Sequence, residues 1–275
     1  MYAGGAVTIL VSAARSGADC VHAGSVGTGR YGDLIRQVLS GAGVAISSPP
    51  VADADTGVCL VFVEPTGERT FITIQGAERH ITEASLATSC PVAGDMVAVS
   101  GYTLQGPTCA PLMAWLSGLP RGVEVVLDPG EAFAELDDAA QQAALDLTTI
   151  WTSNADEARV LTGDPDMMTS PIKVAALLPE GALVIVRDGP AGCAVCADGV
   201  TTVVPGFPQT PIDTNGAGDT HTGVMMAEML AGMAPVDAAR RANAAGALKV
   251  TQRGFDTLPT RAQIDKFLDR QNAGE

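Results

Sequence analysis

Short runs of Val, Ile and Leu recur along the chain at residues 19–24, 96–100, 123–128, 149–153 and 183–187. Each is short, has strand character and is followed by a helical pattern or a turn. Stretches whose apolar residues recur every three or four positions follow at 31–42, 155–161 and 172–178, predicting helices. This alternation predicts an α/β fold with a mainly parallel central sheet and helices on both faces. Ligands in such folds gather at the carboxyl ends of the strands. One stretch breaks the alternation. Residues 56–74 hold two β-rich runs joined by a turn at 64–68 that contains Pro65 and Gly67, which predicts a hairpin flap at about 56–75. Residues 235–271 have helical periodicity interrupted by Gly254 and Pro259. With no internal repeat or low-complexity linker, one domain over residues 1–275 is expected.

Candidate chemistry concentrates in residues 212–220, IDTNGAGDT. Gly216 and Gly218 lack Cβ atoms and Ala217 adds little bulk, so consecutive N–H groups can converge on an anion. Downstream, Val224, Met225, Met229 and Leu230 at helical spacing predict a helix over 220–232. Its unpaired N–H groups and positive dipole end suit a phosphoryl group. Asp219, among those donors, is placed to take a proton from an attacking hydroxyl, a contribution of roughly 10²–10⁴-fold for a positioned base. The bland alternative is an ordinary helix N-cap. Asn154 and Glu157, directly after the run at 149–153, read as a capping box. Their amide and carboxylate oxygens also suit Mg²⁺, a hard ion that keeps much of its water.

Composition narrows the function. A 275-residue chain that is 47% hydrophobic can bury one large core, and its formal charge of −15 argues against nucleic acid. ATP can still be held by local glycine turns, a few cations and Mg²⁺. The six cysteines show no disulfide or zinc framework, and the Cys193–Cys196 CxxC lacks a second pair. There is no apolar run of the ~18 residues that span a bilayer, and no basic segment precedes the first apolar run. A soluble cytoplasmic protein with no membrane partner is expected. The glycines of residues 24–32, GSVGTGRYG, imitate a dinucleotide fingerprint, but no acidic residue closes a second strand as that reading requires.

Taken together, DTNGAGD, the NxxE string, the GxxG turn in VIVRDGPAG (184–192), GSVGTGRYG and the GERTF hairpin resemble the ribokinase-like (PfkB) family of carbohydrate and nucleoside kinases. The resemblance implies a three-layer sandwich whose small β-hairpin lid closes over the sugar and often makes a homodimer contact. It implies Asp219 as catalytic base, Gly216, Ala217 and Gly218 as anion hole, and Asn154 and Glu157 as holders of Mg²⁺ through water. Gly189 and Gly192 would line the ATP site. Arg187 stands where the family has Thr or Lys, as a candidate phosphate partner, and Asn243 lies where the family packs adenine. Asp213, with Gly254 beyond the late helix, matches the carboxylate and backbone oxygens that hold K⁺ in potassium-dependent relatives. On the acceptor side, Gly4 and Gly5 match a GG segment, Thr8 stands in place of a sugar-binding Asn, and Gln105 lies near a sugar-binding Glu. The implied activity is ATP-dependent phosphorylation of a small sugar, as in ribokinase or fructokinase, and the low aromatic content of 4% favours a sugar over a nucleoside. The alternatives are a nucleoside kinase of the same family, or a shortened, non-catalytic nucleotide-binding relative. The last is prompted by the start of the chain: the family's first strand and an early substrate Asp precede the GG segment, and roughly thirty residues are missing by that comparison. Loss of that strand would leave sheet edges unpaired.

Overall fold

Runs dominated by apolar side chains end in the middle of a sheet. The computed structural model describes residues 3–63 and 69–273. Its strands are β1 (Val21–His22), β2 (Ala45–Ile46), β3 (Val58–Val63), β4 (Arg69–Ile74), β5 (Met96–Ser100), β6 (Glu124–Asp128), β7 (Ile150–Asn154), β8 (Leu183–Arg187), β9 (Gly192–Ala197) and β10 (Val200–Pro205). Its helices are α1 (Gly5–Arg15), α2 (Arg30–Gly41), α3 (Glu83–Ala87), α4 (Cys109–Ser117), α5 (Asp138–Leu147), α6 (Ala155–Thr162), α7 (Ser170–Ala175), α8 (Ala217–Leu230), α9 (Pro235–Val250) and α10 (Arg261–Ala273).

A six-stranded sheet runs in the order β10-β9-β8-β7-β6-β5, parallel from β5 to β8 and antiparallel at β9 and β10. Alternate residues of its strands feed two cores. Ile185 packs with Ile9, Val224, Ala242 and Ile264 of α1, α8, α9 and α10. Its neighbours Val184 and Val186 pack with Leu112, Ala144, Ala158 and Val174 on the other face. Helix, sheet and helix thus make three layers, the expected ribokinase-like sandwich. Cys193 belongs to the first core and Cys196 to the second. The CxxC therefore straddles the sheet and its two thiols cannot share one metal, because residues three apart on a strand face opposite sides.

Three expectations need correction. The run at 19–24 contributes only β1, which pairs in parallel with β2 in a separate two-stranded sheet, while α1 packs against both β1 and β5. The helix expected at 220–232 begins at Ala217, because Gly216, at φ +76°, takes the N-cap conformation that a side chain would resist. The helix expected at 172–178 spans Ser170–Ala175, with Pro171 in its first turn, where a missing N–H costs nothing. Helices α4 and α5 fill connections for which the sequence pattern gave no expectation.

A buried ion cluster ties the helical layer together. Glu228 on α8 is fully buried, with Arg241 of α9 at 2.9 Å and Arg261 of α10 at 3.1 Å. Among the described residues the hairpin carries no such ion pair. β3 and β4 pair in register from Val58 opposite Ile74, yet Leu60, Phe62, Ile72 and Ile74 are exposed. The predicted turn at 64–68 lies outside the described residues.

Candidate functional site

Three consecutive strands end on polar residues: Asp128 on β6, Asn154 on β7 and Arg187 on β8. Arg187 reaches the first turn of α8 at the Gly218 carbonyl, and Asp128 accepts from Thr222 further along that helix. In that first turn Ala217 and Gly218 follow the Gly216 N-cap, and Asp213 closes the preceding turn by accepting the Asn215 N–H at 3.0 Å. Across the gap stands the start of α1. A Cβ placed on Gly5 would lie 2.7 Å from the Asp219 carboxylate. No side chain longer than hydrogen fits there without moving Asp219. Gly4 is the N-cap of α1, and a Cβ on it would meet nothing, so this side of the gap is open to a ligand.

Arg187 is the electrostatic centre of the cluster. Its Nη1 lies 2.8 Å from Thr222 Oγ1, 3.1 Å from Asp128 Oδ2, and 3.2 Å from both Thr152 Oγ1 and the Gly218 carbonyl. The guanidinium therefore sits beneath the glycine turn and braces it against the sheet. Burial works against its charge, but Asp128, Glu157 and Asp219 together outweigh that effect and raise its pKa. Burial, seconded by the Asp128 charge, pushes the Asp219 carboxyl up to about 6, against the pull of Arg187. The group remains ionised at neutral pH but is a far better proton acceptor than an ordinary carboxylate.

Asn154 and Glu157 form the reciprocal capping box. The Glu157 N–H donates to Asn154 Oδ1 and the Asn154 N–H to Glu157 Oε2, both at 2.8 Å. Burial raises the Glu157 pKa, and the charges of Asp128 and Glu131 raise it further. Glu157 thus feels two other carboxylates, although among the described residues no group of three or more His, Cys, Asp or Glu is arranged to hold a metal ion directly. Gly189, at φ +50°, stands in open space, whereas a Cβ on Gly192 would strike the Val204 carbonyl. The first glycine leaves room for a ligand and the second serves the strand pair.

Other expected residues land differently. Thr8 is buried, its hydroxyl donates back to the Gly4 carbonyl at 3.2 Å, and its methyl packs towards Gly216. Its polar group is spent inside the fold rather than offered to an acceptor. Asn243 is also buried. Its amide donates to the carbonyls of Val204 and Pro205, so its oxygen must accept from His221 Nε2 at 3.1 Å. His221, held at about 3 by burial and by Arg187, stays neutral. Asn243 thus links α8 and α9 to β10. Gln105 donates to Glu135 Oε2 at 2.7 Å. The GSVGTGRYG turn has its own anion: Asp55 accepts the N–H groups of Tyr31 and Gly32 at the start of α2. A carboxylate of the chain itself fills the position a dinucleotide would need. Asp128, Thr152 and Thr222 were not singled out from the sequence. The available signal was a polar residue ending each of three successive apolar strands.

Strand ends, a glycine turn opening a helix and a buried carboxylate of raised pKa together define a phosphoryl-transfer enzyme of the α/β class. Residues 1–261 match the family model described as pfkB family carbohydrate kinase. This chain belongs to the PfkB family of carbohydrate kinases, phosphotransferases with an alcohol group as acceptor. It is 30% identical over 263 residues to the uncharacterized sugar kinase YegV of Escherichia coli K12, covering 95% of this chain and 81% of that one. It is 28% identical over 276 residues to the ribokinase of Haemophilus influenzae, covering 98% and 87%. Among solved structures, the fructokinase of Vibrio cholerae O395 with fructose, ADP and calcium ion superimposes with a TM-score of 0.83 at 24% identity, over 97% of this chain and 91% of that one. A double mutant of the same fructokinase was solved in a potassium-bound form, and another structural relative with ATP and Mg²⁺. No described helix is long and apolar enough to cross a membrane.

Proposed function

We propose that the chain transfers the γ-phosphoryl group of ATP to a hydroxyl of a small sugar, with Asp219 as general base. The observation that carries this reading is the Asp219 carboxylate, raised to about 6 and set in the first turn of α8 against the open GG segment of α1. In the step itself, the sugar hydroxyl gives its proton to Asp219 while its oxygen bonds to the γ-phosphorus. The bond from that phosphorus to the bridging oxygen breaks, and its electron pair leaves with ADP. The N–H groups of Ala217 and Gly218 supply fixed positive dipoles for the charge on the moving group. Arg187, held by Asp128, Thr152 and Thr222, keeps those dipoles in place through the Gly218 carbonyl. Asn154 and Glu157, near Asp128 and Glu131, would hold Mg²⁺ through water. The ion, when bound, neutralises phosphate charge.

Gly4 and Gly5 form the acceptor wall, and Gly189 leaves room for the nucleotide. The hairpin of β3 and β4 is the lid of a single domain. Its exposed Leu60, Phe62, Ile72 and Ile74 support closure over the sugar and contact with a second copy. The protein works in the cytoplasm, where ATP and reduced cysteines coexist. A panel of pentoses, hexoses and nucleosides assayed with ATP and Mg²⁺ tests the reading. A sugar is expected to give the highest kcat/KM. Preference for a nucleoside, or no acceptor-dependent ADP release, contradicts it.

A further inference from the structure

Lys249 is an anomaly of α9. Its side chain is among the largest that are fully buried, with 1% of the residue exposed. A buried ammonium is costly unless negative groups surround it. Here it points to the underside of the phosphate-facing turn. Nζ donates to the Gln252 carbonyl at 3.4 Å, and Cε lies 3.9 Å from where a Cβ on Gly216 would stand. The backbone brings Asp213 to the same place, since the N–H groups of Ile212 and Asp213 both donate to the Val250 carbonyl, one residue past Lys249. Burial pulls the Lys249 pKa down and the Asp213 charge opposes it, so the two side chains feel each other.

The motif around Asp213 led to the expectation of K⁺, and a structural relative was solved with potassium. The residues of this chain do not fit a free ion. A second cation would have to share the ground between Asp213 and the Gln252 carbonyl with a fixed positive charge. We infer that Lys249 takes the place of the monovalent cation: its tethered ammonium neutralises Asp213 and braces the Gly216 turn. Phosphoryl transfer by this chain is therefore independent of K⁺. The inference rests on reading that turn as the anion hole.

The test compares wild type and Lys249→Ala in KCl, NH₄Cl and tetramethylammonium chloride at equal ionic strength, by melting and by acceptor-dependent ADP release. Wild type should melt at one temperature and turn over at one rate in all three salts. Lys249→Ala, with space opened beside Asp213, should lose at least about tenfold in rate in tetramethylammonium. K⁺ or NH₄⁺ should restore most of that rate and raise its melting point by about 2–4 °C. A wild type that K⁺ activates severalfold overturns the inference. So does a Lys249→Ala protein that gains neither melting temperature nor rate from K⁺ or NH₄⁺, including one that stays unfolded in all three salts. Melting needs no substrate, so a chain with the expected melting pattern but no kinase rate keeps the cation replacement and loses the proposed function.

Discussion

The two walls of the site are built differently. On the phosphate side, the strand ends of β6, β7 and β8 and the first turn of α8 sit on two packed cores, with Arg187 and Glu228 cross-linking the layers. On the proposed acceptor side, the β3–β4 hairpin exposes apolar residues, and among the described residues β1 pairs with the short β2 alone. Preorganised dipoles must be in place before the reaction, because rearranging them during transfer would raise the barrier. In the proposed role of lid the hairpin must move, and elements that move come from the weakly anchored end of a structure.

The sharpest way to break the rigid wall is Glu228→Ala, which leaves an empty buried position beside Arg241 and Arg261 and leaves them with Asp265 and the Ser16 carbonyl as their remaining partners. A loss of about 3–5 kcal/mol is expected in chemical denaturation. Gly5→Ala acts on chemistry instead. Its Cβ would push against Asp219, and a displacement near 1 Å should lower kcat by roughly 10²-fold with melting little changed.

Next is Asp219→Asn, which should stabilise. The folded pKa of Asp219, about 6, lies above its ordinary 3.8, so the folded state holds the proton longer. Its contribution to stability falls as pH rises from 3.8 to about 6 and stays low above that. Removing the charge at pH 7.5 should therefore return on the order of 1–3 kcal/mol, seen as a raised melting temperature that disappears below pH 4. Phe62→Asp on the hairpin should change stability by no more than about 0.5 kcal/mol. It should raise KM for the sugar or lower the dimer fraction in light scattering. A loss of stability comparable to Glu228→Ala would erase the contrast between the walls.

The same contrast explains what could be read from the chain. Glycines of the 212–220 turn, the Asn154–Glu157 cap and the strand periodicity are local: their physics is complete within a few residues. The bracing of Gly218 by Arg187 joins positions 31 residues apart, and the Asp128 ion pair spans 59. Neither leaves a local trace beyond a polar strand end. Thr8 and Asn243 show the reverse error. Each stands where a ligand contact was expected, and packing turned its polar atoms inward. A separate sheet for β1 was also illegible, because an apolar run states that it will be buried but not which neighbour will pair with it.

The measurement closest to the central claim is the pH dependence of kcat/KM for the best sugar acceptor, in wild type and Asp219→Asn. Wild type should lose activity below about pH 6, where Asp219 takes up its proton. Asp219→Asn should be slower by roughly 10²–10⁴-fold and lack that acid limb. A variant that keeps its rate within about tenfold and retains the limb would contradict Asp219 as the base.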